Sequence, residues 1–322
     1  MKLWVGLVAL TVAAVAVGLA VGAASLDLGQ VASGLFGSRG DASAIVRDIR
    51  LPRVLLAFLV GGSLGVCGAS LQALVRNPLA DPFLLGISGG AGLAAVAALG
   101  LGVTGTWTLP IAAFLGGLAA VVLVYRLSSV AGRPLDPRVL VLAGVVVSAF
   151  TGAIMSAILT LATAEALRNA FFWMLGGFSG ASWSTLSVFS VYAAVPLVAL
   201  VASARSLDLL SLGEEPAVAL GLDAGRARRL VYLASSLLTA ASVAMCGVIG
   251  FVGLIAPHAV RGVLGPAHRR LLPAVFLLSG AFLVLADALA RTVARPIELP
   301  VGVITAAVGV PMFAMLLHKS LR

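Results

Sequence analysis

Charge is what this sequence has least of. Asp, Glu, Lys and Arg make up 10% of its 322 residues, against about 25% in an ordinary soluble domain. Hydrophobic residues make up 61%, far more than a soluble core needs, so the composition is that of a polytopic membrane protein. Cysteine is nearly absent. Cys67 and Cys246 both lie in apolar runs and are expected as free thiols packed like small hydrophobes, not as a disulfide or metal pair. The three histidines, His258, His268 and His318, are far apart, which suits polar contacts at helix ends better than a metal or haem site. No G-x-x-x-x-G-K-[ST] run occurs, so the chain lacks a phosphate loop with which to hydrolyse ATP itself. Roughly ten-residue alternating segments are missing, which excludes a β-barrel.

What is present is a series of long uncharged runs of the length that crosses a bilayer as helix. They fall at 3–24, 54–75, two within 82–125, then 139–161, 186–204, 230–250, a short one at 252–263, 271–292 and 299–317. The expected fold is therefore all-α, with about ten transmembrane helices in one domain covering residues 1–322. The first run is longer than the 7–15 residues of a secretory signal core, so it is expected as an uncleaved span. Residues 102–106 read as the turn inside 82–125. The Gly- and aromatic-rich stretch FFWMLGGFSGASW (171–183) reads as an interfacial or re-entrant segment, with Trp173 and Trp183 in an aromatic belt. The 37 glycines suit helices packed closely in lipid.

The net charge of +9 does not point to nucleic acid, because the arginines cluster in short loops. Ten spans with a cytoplasmic N-terminus put 14 Lys and Arg inside, including Lys2, Arg76, Arg126, Arg133, Arg138 and Arg322, against 7 outside, including Arg39, Arg47 and Arg168. That is the direction of the positive-inside rule, and it places both termini in the cytoplasm. Spans two to seven hold no Asp, Glu, Lys, Arg or His. Ion-coupled transporters usually carry such groups at mid-membrane, and an intramembrane enzyme would need a cluster of them, so both classes are disfavoured.

Two polar breaks stand out. Between the second and third runs, Arg76-Asn77-Pro78-Leu79-Ala80-Asp81-Pro82 holds two charges, an amide and two prolines. Pro78 and Pro82 end one helix and begin the next, and Asp81 is placed to cap the second. The other break, residues 205–229, contains Gly213-Glu214-Glu215-Pro216. Acids and proline in a first turn start a helix, and Gly221 stops it. A helix of roughly seven residues needs a surface to dock on. The residues alone allow a capped loop on the membrane as readily as a contact for a cytoplasmic partner. Near the end of the ninth run, Asp287 and Arg291 are spaced to pair on one helix face, which would neutralise an acid in an apolar setting.

The blocks together resemble a known family, the permease subunits of type II ATP-binding-cassette (ABC) importers for iron–siderophore, haem and cobalamin. They are RLPR at 50–53, Gln72 with RNPLADPFLLGISGGAG, GEEPAVALGL, GFVGLIAPHAVRGVLGPAHRRLLP at 250–273, Asp287 with Arg291, and Glu298-Leu299-Pro300-Val301-Gly302 running to Pro311.

The resemblance implies a second permease copy, identical or a close paralogue, two cytoplasmic ATPase subunits that use ATP and Mg, and a periplasmic or lipid-anchored binding protein. The setting is a bacterial or archaeal cytoplasmic membrane, and the permease binds no cofactor. The implied site residues fall in four groups. Gly213, Glu214, Glu215, Pro216, Ala217, Ala219, Leu220 and Gly221 match the coupling helix that docks in the ATPase. Asn77, Pro78 and Leu79, with Asp136 and Pro137, match the cytoplasmic gate, although similar permeases carry small hydroxyl residues near 136. Arg50, Arg53 and Arg291 match arginines presented to acidic residues of the binding protein; interfacial anchoring by snorkelling is the alternative. Val145, Ser148, Ala149, Gly152 and Ser156 of the fifth span would line a wide, weakly polar pathway. An iron chelate is the expected cargo, with haem or cobalamin as alternatives.

Overall fold

The computed structural model describes residues 2–22, 26–37, 41–103, 105–130 and 135–320. Arg39, Thr104, Arg133 and Arg322, which entered the topology above, lie outside the described residues. All regular structure among the described residues is helical. In order the helices are α1 (Lys2–Ala20), α2 (Leu28–Phe36), α3 (Asp41–Ala44), a π-helical turn (Ile45–Arg50), α4 (Leu51–Val75) and a 3-10 turn (Pro82–Leu85). Then come α5 (Ile87–Gly100), α6 (Thr108–Val130), α7 (Pro137–Leu161), α8 (Ala164–Met174), α9 (Trp183–Ala202), α10 (Ala204–Leu212) and α11 (Glu214–Ala219). The last are α12 (Ala224–Cys246), α13 (Val252–Leu264), α14 (His268–Ala290) and α15 (Val301–Ser320).

Seven of these are long and apolar enough to cross a membrane: α1, the continuous stretch Ile45–Val75, α6, α7, α9, α12 and α14. α5, α13 and the apolar part of α15 are shorter. In chain order these helices overlap the apolar runs read from the sequence, seven of them at membrane-crossing length among the described residues. Local chemistry sets several starts. The Asp136 carboxylate accepts the Arg138 N–H at 2.9 Å with Pro137 in the first turn of α7. Ser182 and Thr185 cap α9 reciprocally, and Asp223 caps α12 through the Arg226 N–H at 3.0 Å.

α4 is the centre of the bundle. Its most apolar window is 83% buried, against 28% for α6, α7 and α9. It packs on α14, α12 and α13, and small residues make this possible. A methyl group added at Gly68 would overlap the Gly253 carbonyl of α13, and one at Gly61 would lie 2.5 Å from the Ser279 carbonyl of α14.

The helix is broken between α12 and α13. α12 ends at Cys246, residues 247–251 are not helical, and α13 starts at Val252. Irregular backbone at membrane depth is tolerated where protein covers it. Here Gly177 donates its N–H to the Cys246 carbonyl at 2.8 Å, while Val301 and Gly302 donate to Gly176 and Leu175 at 3.0 and 3.1 Å. The start of α15 thus lies backbone-to-backbone on the 175–177 turn.

Three details differ from the sequence reading. The segment ahead of the sixth span is a discrete helix, α8, which begins earlier than Phe171 because Thr163 caps it. Residues 204–212 are helical, since α10 follows α9 after a break at Ser203. Trp173 turns into the protein and lines a cavity, whereas exposed Trp183 donates its indole N–H to the Arg47 carbonyl at 3.0 Å.

Candidate functional site

The six-residue helix α11 seats itself by two small buried residues, Gly213 and Ala217. Gly213 has φ +114°, a backbone region nearly closed to other residues, and the Arg76 guanidinium lies against it. Glu214 pairs with Arg228 of α12 at 2.7 Å. Leu220 and Gly221 close the helix by N–H bonds to the Pro216 and Val218 carbonyls at 3.0 and 2.9 Å. Glu215, Pro216, Ala219 and Gly221 are exposed, as are Val218 at 56% and Leu220 at 60%. An apolar knob held out on a short, pinned helix is chemistry for a protein contact.

The 76–82 break adjoins it. Arg76 ends α4 in the left-handed conformation, φ 53°. Asn77 and Pro78 are exposed and Leu79 is half-buried. The Asn77 side chain accepts the Leu79 N–H at 2.9 Å, and Asp81 accepts the Phe83 N–H at 2.9 Å, as its capping position anticipates. Burial pushes the Asp81 carboxyl up to about 6 in spite of that bond. The 3-10 turn that follows meets α7 where the Leu84 carbonyl presses on Gly144. The link between the two expected gate segments therefore runs through Leu84 and Gly144. Asp136 and Pro137 are engaged in starting α7, behind Leu135 in a left-handed conformation, φ 63°.

Of the five expected lining residues, Val145, Ala149 and Ser156 are exposed and Ser148 and Gly152 half-buried. Leu142, Val146 and Phe150 are exposed beside them. α7 thus presents a broad uncovered face with a small-residue strip in it.

At the opposite end of the bundle the arginines are not presented outward. Arg50 and Arg291 are each 4% exposed. Arg50 donates to the Leu19 and Ala20 carbonyls at 2.6 and 2.8 Å, and Arg291 to the Gly18 and Val21 carbonyls at 3.0 and 2.8 Å. The physical reason is the end of α1. The last carbonyls of a helix have no intrahelical donor, and two guanidinium groups supply them. Arg53 grips Asp287 at 2.9–3.1 Å and reaches Glu298 at 2.9 Å. Asp287 is also paired with Arg291 at 3.0 Å, the i,i+4 pair read from the sequence. Beside this network lies a cavity of about 520 Å³ whose wall includes Arg53, Asn169, Trp173 and Glu298.

Cys67 and Cys246 are buried free thiols. No group of three or more potential metal ligands occurs among the described residues. The sequence reading did not single out the ties made by Gln72, Arg261, Asp208 and His268. Gln72 had a signal, an amide in an otherwise apolar span, and His268 was read as a polar contact at a helix end; Arg261 and Asp208 had none, and every partner is distant in sequence.

The model of the FecCD transport family matches residues 10–319. The cobalamin import system permease protein BtuC of Halobacterium salinarum is 42% identical over 294 residues, 91% of this chain and 79% of that protein. The Fe(3+) dicitrate transport system permease protein FecD of Escherichia coli K12 is 40% identical over 276 residues, 85% of each. A solved structure described as an inward-facing conformation of a candidate metal-chelate type ABC transporter superposes with a TM-score of 0.88, at 32% identity over 99% of both chains.

Proposed function

Since the chain belongs to the FecCD transport family, we propose that it passes a bulky metal chelate into the cell by alternating access, driven by partner ATPases. As a family member it is a permease subunit of a type II ABC importer and not an enzyme; the ATPase is a separate subunit. The chelate reading is carried by one observation. Relatives similar along most of the chain are permeases for chemically different metal complexes, cobalamin and ferric dicitrate. An iron–siderophore complex is the first expectation, and haem or cobalamin the alternatives.

The assembly would hold two permease copies with α7 and α15 of each beside a shared path, and two ATPases that use ATP and Mg. A binding protein would deliver the ligand. The membrane would be the bacterial or archaeal cytoplasmic one, with both termini inside. The exposed knob of α11 supports ATPase docking, because Gly213, Glu214 and Ala217 hold the helix on the permease while Val218 and Leu220 stand clear of it. The uncovered face of α7 supports a pathway wide enough to pass a chelate without gripping it. Asn77–Leu79 would narrow the cytoplasmic mouth, with Leu135-Asp136-Pro137 on the same side. Docking of the binding protein would rest on Arg53, whose partner Glu298 is exposed; Arg50 and Arg291 would support that surface from behind.

The test is reconstitution of the permease with its ATPase and binding protein in liposomes, offered ferric siderophore, haem and cobalamin in turn. ATP-dependent uptake of one of them is expected. Uptake driven by an ion gradient without the ATPase would overturn the reading. Asn77→Gly or Leu79→Gly is expected to leave assembly intact and raise ATP turnover that is not matched by uptake.

A further inference from the structure

Gln72 lies in the last turn of α4 and is 3% exposed. A buried amide must satisfy both its ends. Its Nε2 donates to the Gly253 carbonyl at 3.3 Å and, at the long limit of 3.5 Å, to the Ala80 carbonyl. Its Oε1 accepts from Arg261 Nη1 at 3.1 Å. The chemistry allows one amide orientation only. Arginine solely donates and the two carbonyls solely accept, so the oxygen must face Arg261 and the nitrogen the carbonyls. The Gln72 backbone carbonyl in turn accepts the N–H groups of Arg76 and, at 3.1 Å, of Asn77.

One residue therefore holds both ends of the 76–80 segment and fastens them to α13. Pro82 adds contact there, for a methyl group on Gly253 would lie 2.8 Å from its Cδ. The exposed tip is held by its own local bonds, Leu79 N–H to the Asn77 side chain and Ala80 N–H to the Asn77 carbonyl at 3.1 Å. Its position is set by its base. α13 itself is tied toward α11. It runs through residues 265–267 into α14, whose first residue, His268, donates its backbone N–H to Asp208 of α10 at 2.9 Å, with its Nδ1 at 2.7 Å from the same oxygen. α10 leads directly into α11 through Gly213.

We infer that Gln72 is the positioning residue of the cytoplasmic gate, tying Asn77–Leu79 to α13 through Gly253 and Arg261 so that the gate segment follows α13 when the importer cycles. The inference rests on the gate reading given above. It adds the means by which a loop with an exposed tip keeps a defined place, and it gives Arg261 a role as the donor that fixes the amide.

The test uses the assembled importer in lipid nanodiscs, spin-labelled at Pro78→Cys on both permease copies, with the label-to-label distance read by pulsed EPR. Gln72→Leu, which removes all three side-chain bonds, is expected to broaden or shift that distance. In unlabelled protein it is expected to raise uptake-independent ATP turnover about five-fold, the population shift that loss of an ordinary hydrogen bond produces. Arg261→Met should act in the same direction, and the double variant should be no worse than Gln72→Leu alone, because Arg261 reaches the gate only through the amide that Leu removes. An unchanged distance in the folded Gln72→Leu complex, or additive effects of the two substitutions, overturns the inference. If Gln72→Leu does not assemble, Gln72→Glu decides by the same distance measurement, since it keeps the shape and the Arg261 pair but loses both donors. A changed distance with unchanged coupling leaves the positioning role standing and overturns the gate reading instead.

Discussion

Arg53 and Asp287, 234 positions apart in the chain, are joined by three contacts of 2.9–3.1 Å between α4 and α14. Asp287 is buried and Arg291 holds its other side at 3.0 Å. Removing one member of a buried pair strands the other charge, which costs about 3–5 kcal/mol. Asp287→Ala is expected to destabilise the permease, but by less than that, because Arg53 keeps Glu298 and Arg291 keeps the Gly18 and Val21 carbonyls. Asp287→Asn should cost less, as the amide oxygen still accepts one bond. Melting of the purified permease in detergent measures both.

Gly68 makes a sharper test of packing. In a helix interior Gly→Ala usually stabilises by about 1 kcal/mol. Here the added methyl meets the Gly253 carbonyl of α13, and overpacking of a tight contact costs about 1–3 kcal/mol. Gly68→Ala should therefore lower the melting temperature, whereas Gly152→Ala on α7, where nothing lies within 4 Å of the new methyl, should not.

Leu220 and Val218 should separate stability from assembly. Exposed substitutions usually change stability by about 0.5 kcal/mol or less. Leu220→Asp is expected to melt like the wild type but to lose the ATPase on co-purification. Retention of the ATPase would remove α11 from the coupling role.

Ala149 offers the equivalent test for the path. It is exposed on α7, so Ala149→Trp should fold and bind the ATPase normally while uptake falls to background. Normal uptake in the same liposomes would move the path off this face.

Asp81 gives a pH dependence of known sign. Its folded value is pushed up by burial to about 6 from an ordinary 3.8. The folded chain therefore holds this proton more tightly than the unfolded chain does. The group's contribution is most favourable below the unfolded value, declines as pH rises toward about 6, and stays constant beyond that. Asp81→Asn should flatten the melting temperature between pH 4.5 and 7.5, with its gain over wild type at the higher pH.

Much of the architecture was readable because hydrophobic run length is a local property. α4, α7, α9, α12 and α14 fall where uncharged runs of bilayer length fall, and Asp81 and Gly213 mark helix starts by chemistry acting within three residues. α8 and α10 were less legible. Their amphipathic patterns are short, α10 has no side-chain cap, and both lie beside stronger apolar signals that absorb them.

What the sequence by itself determined is the class, the order of the spans, the break at Arg76–Pro82, the small helix after Gly213 and, through the blocks they form, the family. Each is decided by composition or by neighbours a few residues apart. Only the tertiary structure decided what the arginines do. Beyond the local Asp287–Arg291 pair, Arg50, Arg53 and Arg291 read alike as surface cations, yet Arg50 and Arg291 close the end of α1 and Arg53 grips Asp287 from another helix. Only the fold showed that Gln72, Gly253 and Arg261 meet. A guanidinium or an amide satisfies whatever acceptor packing brings within about 3 Å. Which acceptor that is depends on helices that lie far apart along the chain.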